Sequence, residues 1–479
     1  MKNLIKISSN IWEIPQTGNM RVPGRIYANE RLIDSITKDD AIKQVQKVAV
    51  LPGIQKYSFA MPDVHQGYGF PIGGVAAFDV ENGIISPGGV GYDINCGVRF
   101  IRTNLFYPEI KDRMNNLVEQ IFRTVPTGVG SRNAIQKLNV SELKKVLKNG
   151  AEWAIQNKFG KDDDLLATED LGKMKEADPG KVSDRAMKRG SNQSGTLGSG
   201  NHFIEIGVVK NIFEEKIAKN FGLVKNQIII IIHSGSRGLG HQICDDYVHE
   251  MLFQSNKLDF ELPDKQLASV YINSKLGEDY FGAMACAANF AWANRQIMMH
   301  LVKKSMMRTL KIDESNLGFE LIYDVCHNIA KFEEHEIDGK MTRVCVHRKG
   351  ATRAFGPNRK ELADKFQQTG QPVIIPGDMG TESYLCVGME KAMSETFGSS
   401  CHGAGRVMSR HQALKDTDFT SLLDELNRKN IIVRAAKRKT LIEEKSDAYK
   451  NVNEVVQTMH DEGIIRKVVR TVPVGVVKG

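Results

Sequence analysis

Glycine-rich segments bearing histidine, cysteine or acidic side chains recur from residue 61 to residue 410, and this pattern limits what the chain can fold into more than any other. Such segments belong where rigid strands and helices end and offer functional groups to a ligand. Spread over most of the sequence, they require distant stretches to converge on one site. The expected organisation is therefore one large domain over residues 1–479, and no repeat, low-complexity tract or Pro/Gly/Ser linker divides it. Residues 131–189 stand apart, since they are polar, carry the acidic run Asp162, Asp163 and Asp164, and predict a helical insertion or flap within that domain.

The strand signals are short and apolar. Residues 227–232 contain five consecutive isoleucines and predict a buried strand, residues 321–326 predict another, and each runs into a histidine, His233 or His327. Residues 344–346 and 373–375 predict further short strands, whereas residues 406–414 and 452–460 predict helices. Without regular βαβ alternation, the expected class is α+β, a mixed α/β domain rather than a doubly wound parallel sheet.

Composition excludes several classes. At 41% hydrophobic and 25% charged residues the chain is neither disordered nor fibrous, and its longest aliphatic run is far short of the roughly 20 residues that span a bilayer. Residues 1–10 hold Lys6 inside their only apolar patch and lack a small-residue cleavage site, so no secretory signal is predicted and the cytoplasm is the expected location. The seven cysteines are scattered and odd in number, which argues against a disulfide framework and leaves Cys96 and Cys401, in glycine- and histidine-bearing settings, as the two with chemical interest. A net charge of +8 leans toward a polyanionic partner, although the basic clusters at 181–189 and 434–439 serve equally as solvated faces.

Five side chains of metal-ligand type stand in these special settings: Asp93 and Cys96 in Gly-Val-Gly-Tyr-Asp-Ile-Asn-Cys-Gly, then His202, His233 and His327. Any one histidine beside an apolar run also serves as a hydrogen-bonded core residue. The spacing is long-range, unlike a zinc finger, and the softness of cysteine and histidine points first to zinc. Two metals bridged by a thiolate would suit phosphoryl chemistry.

Four segments carry a family likeness: Met61-Pro62-Asp63-Val64-His65-Gln66-Gly67-Tyr68-Gly69-Phe70-Pro71-Ile72-Gly73-Gly74, Gly198-Ser199-Gly200-Asn201-His202-Phe203, His233-Ser234-Gly235-Ser236-Arg237-Gly238 and Ser400-Cys401-His402-Gly403-Ala404-Gly405-Arg406. In this order they resemble the RtcB RNA ligases, from near residue 60 to Val477-Lys478-Gly479, with little likeness in the first 60 residues or in 131–189. The resemblance implies a single-domain ligase that uses two Mn²⁺ ions, GTP and RNA, and it replaces zinc with manganese. It makes Cys96 the ligand shared by both ions, with Asp93 and His202 completing one and His233 and His327 the other.

By the same resemblance, His402 is the nucleophile that takes GMP from GTP, with Gly403 and Gly405 allowing close backbone approach. Glu205, Ser383, Tyr449 and Lys478 match the guanosine pocket and Asn201 a phosphate or metal contact, whereas Asp378 stands where some relatives have serine, which sets a carboxylate against the nucleotide phosphates. Arg189, Arg237, Arg406 and Arg410 match arginines along an RNA path, the last two expected one helical turn apart. The implied partners are RNA with 3′-phosphate or 2′,3′-cyclic phosphate and 5′-hydroxyl ends, GTP, and an archease-type activator.

Overall fold

Alternation along the isoleucine run explains the deepest strand. Ile229 and Ile231 join one buried cluster with Phe100, Phe203 and Val476, while Ile228, Ile230 and Ile232 join another with Leu117, Met298 and Leu321. A strand apolar on both faces needs cover on both faces. In the computed structural model, which describes residues 4–415 and 418–479, Gln227–Ser234 accordingly lies inside an eight-stranded sheet. The first three residues of the stretch read for a signal lie outside the described residues.

Along that sheet the order is Glu320–Cys326, Gly97–Phe106, Gln227–Ser234, Phe203–Ile212, Ile465–Lys478, Ser383–Gly388 and Pro372–Ile375, with Ile432–Ala435 pairing in parallel beside Ile465–Lys478. A seven-stranded sheet runs Ile5–Lys6, Ile11–Ile14, Gly24–Tyr27, Ser58–His65, Ile72–Asp79, Lys340–Lys349 and Asn328–Ile337. Its pairs are antiparallel except Gly24–Tyr27 with Ser58–His65. Phe59 and Val346 of this sheet share a buried cluster with Ile375 and Cys386 of the other and with Val455 and Met459 of the helix Val452–Asp461. The chain is thus a single mixed α/β domain of largely antiparallel sheets.

The strands expected at 344–346 and 373–375 are parts of Lys340–Lys349 and Pro372–Ile375. The helix expected over 406–414 is a correction, because it runs only from Arg410 to Lys415. Arg406 instead forms a bridge with Tyr449, and the Val407 N–H donates to the Ala448 carbonyl, so tertiary pairing holds this stretch extended.

The longest element, Lys275–Leu310, has no counterpart among the expected helices. Its 36 residues start on a Ser274 side-chain cap and are buried on nearly every side. A helix apolar all round has no amphipathic stripe to betray it. Residues 131–189 are helical, with Val140–Asn149, Ala151–Gln156, Asp163–Leu166 and Asp184–Gly190 among their elements. Leu147 and Trp153 from this stretch share a buried cluster with the long helix, whose Asn289 donates to the Leu147 carbonyl at 2.8 Å and accepts from the Met174 N–H at 2.7 Å. All seven cysteines are free and buried. Among the described residues no helix is long and apolar enough to cross a membrane.

Candidate functional site

Strand register gathers the ligand-type residues. Cys326 pairs with Gly97 in antiparallel strands, so their neighbours His327 and Cys96 meet, and the His327 N–H donates to the Cys96 carbonyl at 2.7 Å. Gly97 pairs on its other side with Ser234, while His233 pairs with Phe203, the residue after His202. Cys96 Sγ lies 3.1 Å from His233 Nε2 and 3.6 Å from His202 Nε2, and His202 Nε2 lies 2.8 Å from Asp93 Oδ2. Two groups result, Asp93 with Cys96 and His202, and Cys96 with His233 and His327; within each, one ligand atom per residue lies within 4.8 Å of the others.

Both ring nitrogens of His327, and Nδ1 of His202 and of His233, are buried without a hydrogen-bond partner among the described residues. Leaving a buried polar atom unpaired costs about 1–3 kcal/mol, and native folds leave few. His327, orphaned at both nitrogens beside a sulfur that already meets the Nε2 atoms of His202 and His233, fits a cation held among them. Burial, reinforced by His202 and His327, pushes the His233 imidazole well below its ordinary value, and burial with His402 and Arg295 does the same to His327, so both stay neutral, as ligands must be. Burial, then the Asp93 carboxylate, raises the Cys96 thiol. Burial also opposes ionisation of Asp93, but His202 outweighs it and holds the carboxyl below its usual value.

His402 follows the short strand Ser399–Cys401. Its Nδ1 is 2.6 Å from Asp63 Oδ2, and that oxygen also accepts the His402 and Gly403 backbone N–H groups at 2.9 and 3.2 Å. An ionised carboxylate only accepts, so the proton of this bond sits on Nδ1. Burial works against the Asp63 charge, yet His402 keeps its carboxyl below the ordinary value. The His402 and His327 rings are 5.1 Å apart, which brings the histidine beside the second ligand group. Gly405, at φ +73°, is required here, since a Cβ would fall 2.1 Å from the Asp63 carbonyl; at Gly403 the nearest atom would be 3.6 Å away.

A cleft of about 480 Å³ runs over both groups and is lined by Asn201, Asp378, His402, Arg406, Tyr449 and Lys478 among others, a size ordinary for a small-molecule site. Glu205 is fully buried, with Ser383 Oγ 3.4 Å from one carboxylate oxygen and, among the described residues, no partner for the other. Burial pushes its carboxyl up to about 8. Lys478, by position alone a loose tail residue, ends the strand Ile465–Lys478 and is 3% exposed, with burial lowering its ammonium. Asp378 accepts from the Gly380 N–H, Thr381 Oγ1 and Ser446 Oγ at 2.8, 2.8 and 2.5 Å, so its carboxylate is engaged in closing its own turn.

The arginines divide. Arg406 and Arg410 line the cleft and converge on Glu444, at 3.4 and 3.1 Å. They do so from a loop and a helix start rather than from one helical face, which corrects the spacing expected above. Arg237 donates to Thr196 Oγ1 at 3.1 Å beside Gly198, while Arg189 bonds Gln242 at 2.9 Å and is absent from the cleft lining.

Three site residues escaped the sequence reading. Asp63 lay inside a recognised motif, but its partner His402 is 339 positions away. Glu444 belongs to no motif, yet Arg406, Arg410, Lys478 and Tyr449 all meet it. Asn328 Nδ2 donates to the Asp93 carbonyl at 3.0 Å, a role that its place beside His327 could have suggested.

Fold and site together define an α/β protein with two candidate metal groups sharing one cysteine, beside a histidine held by a carboxylate. Residues 44–479 match the family model described as tRNA-splicing ligase RtcB, and the chain belongs to that family. It is 50% identical over 480 residues to the tRNA-splicing ligase RtcB of Thermococcus kodakarensis, covering 100% of this chain and 99% of that protein. Proteins of the same name are 50% identical over 482 residues in Methanococcus maripaludis, covering 100% of each chain, and 50% over 477 residues in Nanoarchaeum equitans, covering 99% of each. The likeness therefore extends over the first 60 residues and 131–189, which the motifs did not reach.

Proposed function

We propose that this chain is a GTP- and Mn²⁺-dependent RNA ligase that joins 3′-phosphate or 2′,3′-cyclic phosphate ends to 5′-hydroxyl ends through a guanylylated histidine. The observation that carries the reading is the Asp63–His402 pair beside the His327 ligand group. With Nδ1 donating to Asp63, the Nε2 lone pair of His402 is free to attack. Relatives named as tRNA-splicing ligases support an RNA substrate.

His402 Nε2 attacks the α-phosphorus of GTP, forming an N–P bond as the bond to the bridging oxygen breaks and pyrophosphate leaves. Asp63 keeps the Nδ1 proton and balances the charge that the ring gains. Glu205 accepts from the guanine N1–H and N2–H edge, with Ser383, Tyr449 and Lys478 around the base and Asn201, Gly403 and Gly405 near the phosphates. Asp93, Cys96 and His202 would hold one Mn²⁺ and Cys96, His233 and His327 the other, and the ions supply counter-charge to the phosphates. Water opens a 2′,3′-cyclic end to a 3′-phosphate, whose oxygen displaces His402 from GMP. The 5′-hydroxyl then attacks the 3′-phosphorus, losing its proton and expelling GMP, while Arg189, Arg237, Arg406 and Arg410 hold RNA phosphates. The proposed setting is tRNA splicing or RNA repair in the cytoplasm, with an archease-type activator as partner.

A dinuclear metallophosphoesterase would need the two ligand groups but not the Asp63–His402 pair, and a noncatalytic RNA-binding protein would need only the arginines. Incubation with α-labelled GTP and Mn²⁺ separates these readings, because only the ligase acquires an acid-labile, hydroxylamine-tolerant covalent label. His402→Ala should lose the label and fail to join unactivated ends, yet seal an RNA supplied with GMP already on its 3′ end. Full activity of this variant on unactivated ends would remove His402 from the mechanism.

A further inference from the structure

We propose that Arg295, at the centre of the long helix, is the positioning residue that holds Cys96, His233 and His327 at their spacing in the second candidate metal group; the inference rests on the metal reading above. Arg295 is fully buried. Its Nη1 donates to the Asn95 carbonyl at 2.8 Å and the Ser234 carbonyl at 2.9 Å. Nη2 donates to Asn95 Oδ1 at 3.0 Å and Asp324 Oδ1 at 2.8 Å, and Nε to Asp324 Oδ2 at 3.0 Å. Asn95 precedes Cys96, Ser234 follows His233, and Asp324 lies on the strand that leads into His327.

One planar group thus grips the three segments that present Cys96, His233 and His327. A guanidinium holds its donors in a rigid fork, so it fixes its acceptors relative to one another in a way an ammonium cannot. The fork lies close against the strand, since a Cβ on Gly97 would fall 2.9 Å from Arg295 Cζ. The neighbouring Asn294 extends the brace to the segment leading to His202, accepting from the Gly195 and Thr196 N–H groups at 2.7 and 3.0 Å and donating to the Gly235 carbonyl at 3.2 Å. Arg99 provides a built-in contrast. It is equally buried and bonds the same Asp324 at 2.6 Å, but its other partners are Gln296 and the Met299 sulfur, none of them beside a ligand.

The test uses Co²⁺ as the probe on the full chain, reading affinity by equilibrium dialysis and geometry from the thiolate-to-cobalt and ligand-field absorption bands. Arg295→Lys keeps the charge but loses the fork, and is expected to weaken Co²⁺ binding roughly tenfold to a hundredfold and to shift the ligand-field band. Arg99→Lys should destabilise the fold yet bind Co²⁺ like the parent. Asn95→Gly tolerates the φ of +50° found there and removes one acceptor of the fork, so it should show a smaller loss of the same kind. Parent-like affinity and spectrum in Arg295→Lys, or in Asn95→Gly should Arg295→Lys not fold, would overturn the proposal, as would an equal loss in Arg99→Lys. If the parent itself shows no thiolate band, the metal reading fails and this inference falls with it, an outcome distinct from a parent that binds while the variants do too.

Discussion

Two halves of one cleft treat their polar groups in opposite ways. Around Cys96 the fold packs His202 and His233 against the sulfur through Nε2 and buries His327 with neither ring nitrogen partnered among the described residues. Around Glu444, a carboxylate 1% exposed, the fold satisfies charge internally: Arg406, Arg410 and Lys478 approach it to 3.4, 3.1 and 3.9 Å, and the Tyr449 hydroxyl donates to it. The first half is incomplete without a ligand, because unpaired buried lone pairs have no compensation. The second is complete on its own and must exchange partners when an anion enters. Binding should therefore add interactions on one side and replace them on the other.

The largest expected effect breaks the incomplete half. Cys96→Ala removes the sulfur common to both groups, so metal content should fall and both guanylylation and sealing should become undetectable. A variant that retained two Mn²⁺ by elemental analysis, with full labelling, would refute the shared-ligand reading.

Next comes the pair that joins the halves. Asp63→Asn keeps the shape but can present an amide N–H to His402 Nδ1, favouring the wrong tautomer. Guanylylation should slow by about a hundredfold or more, with GTP affinity little changed, as read from single-turnover labelling. An unaltered rate would leave Asp63 a structural residue only.

Glu444→Gln probes the self-satisfied half. Removing one charge from a buried network costs about 3 kcal/mol, less for the share of Arg410, whose side chain is half exposed. Burial disfavours the Glu444 charge, but Lys478, Arg410 and Arg406 outweigh it, so the carboxyl lies below its ordinary 4.5. A depressed folded value gives stability that is present above the unfolded value and lost as pH falls through the folded one. Urea melts should therefore show the parent–variant gap at neutral pH and see it close below 4.5; a gap constant with pH would point to packing instead.

The smallest effect concerns Glu205, whose carboxyl burial pushes up to about 8. In the proposed pocket, guanine donors would favour the ionised carboxylate, so guanosine binding below pH 8 would release a proton. Affinity should rise by up to about tenfold per pH unit toward 8 and level off above it. Glu205→Gln should bind weakly at every pH, and buffer-independent binding enthalpies in the parent would contradict proton release.

Local pattern carried the parts of this protein that were legible before folding. The isoleucine run announced a strand buried on both faces, its histidine and the one after residue 326 sat at strand ends, and the ordered glycine-rich motifs pointed to His402 and the five ligand-type residues. Pairing over distance, by contrast, exists only in the folded chain. Asp63 and Glu444 acquire meaning through partners brought in by other strands and loops, and Arg406 leaves its expected helix because Tyr449 pairs with it. The long helix stayed hidden for a related reason. Periodicity reports a contrast between a dry face and a wet one, and Lys275–Leu310 is dry nearly all round. Its one buried arginine, unremarkable in the sequence, takes its role from three strand ends that only folding brings within reach.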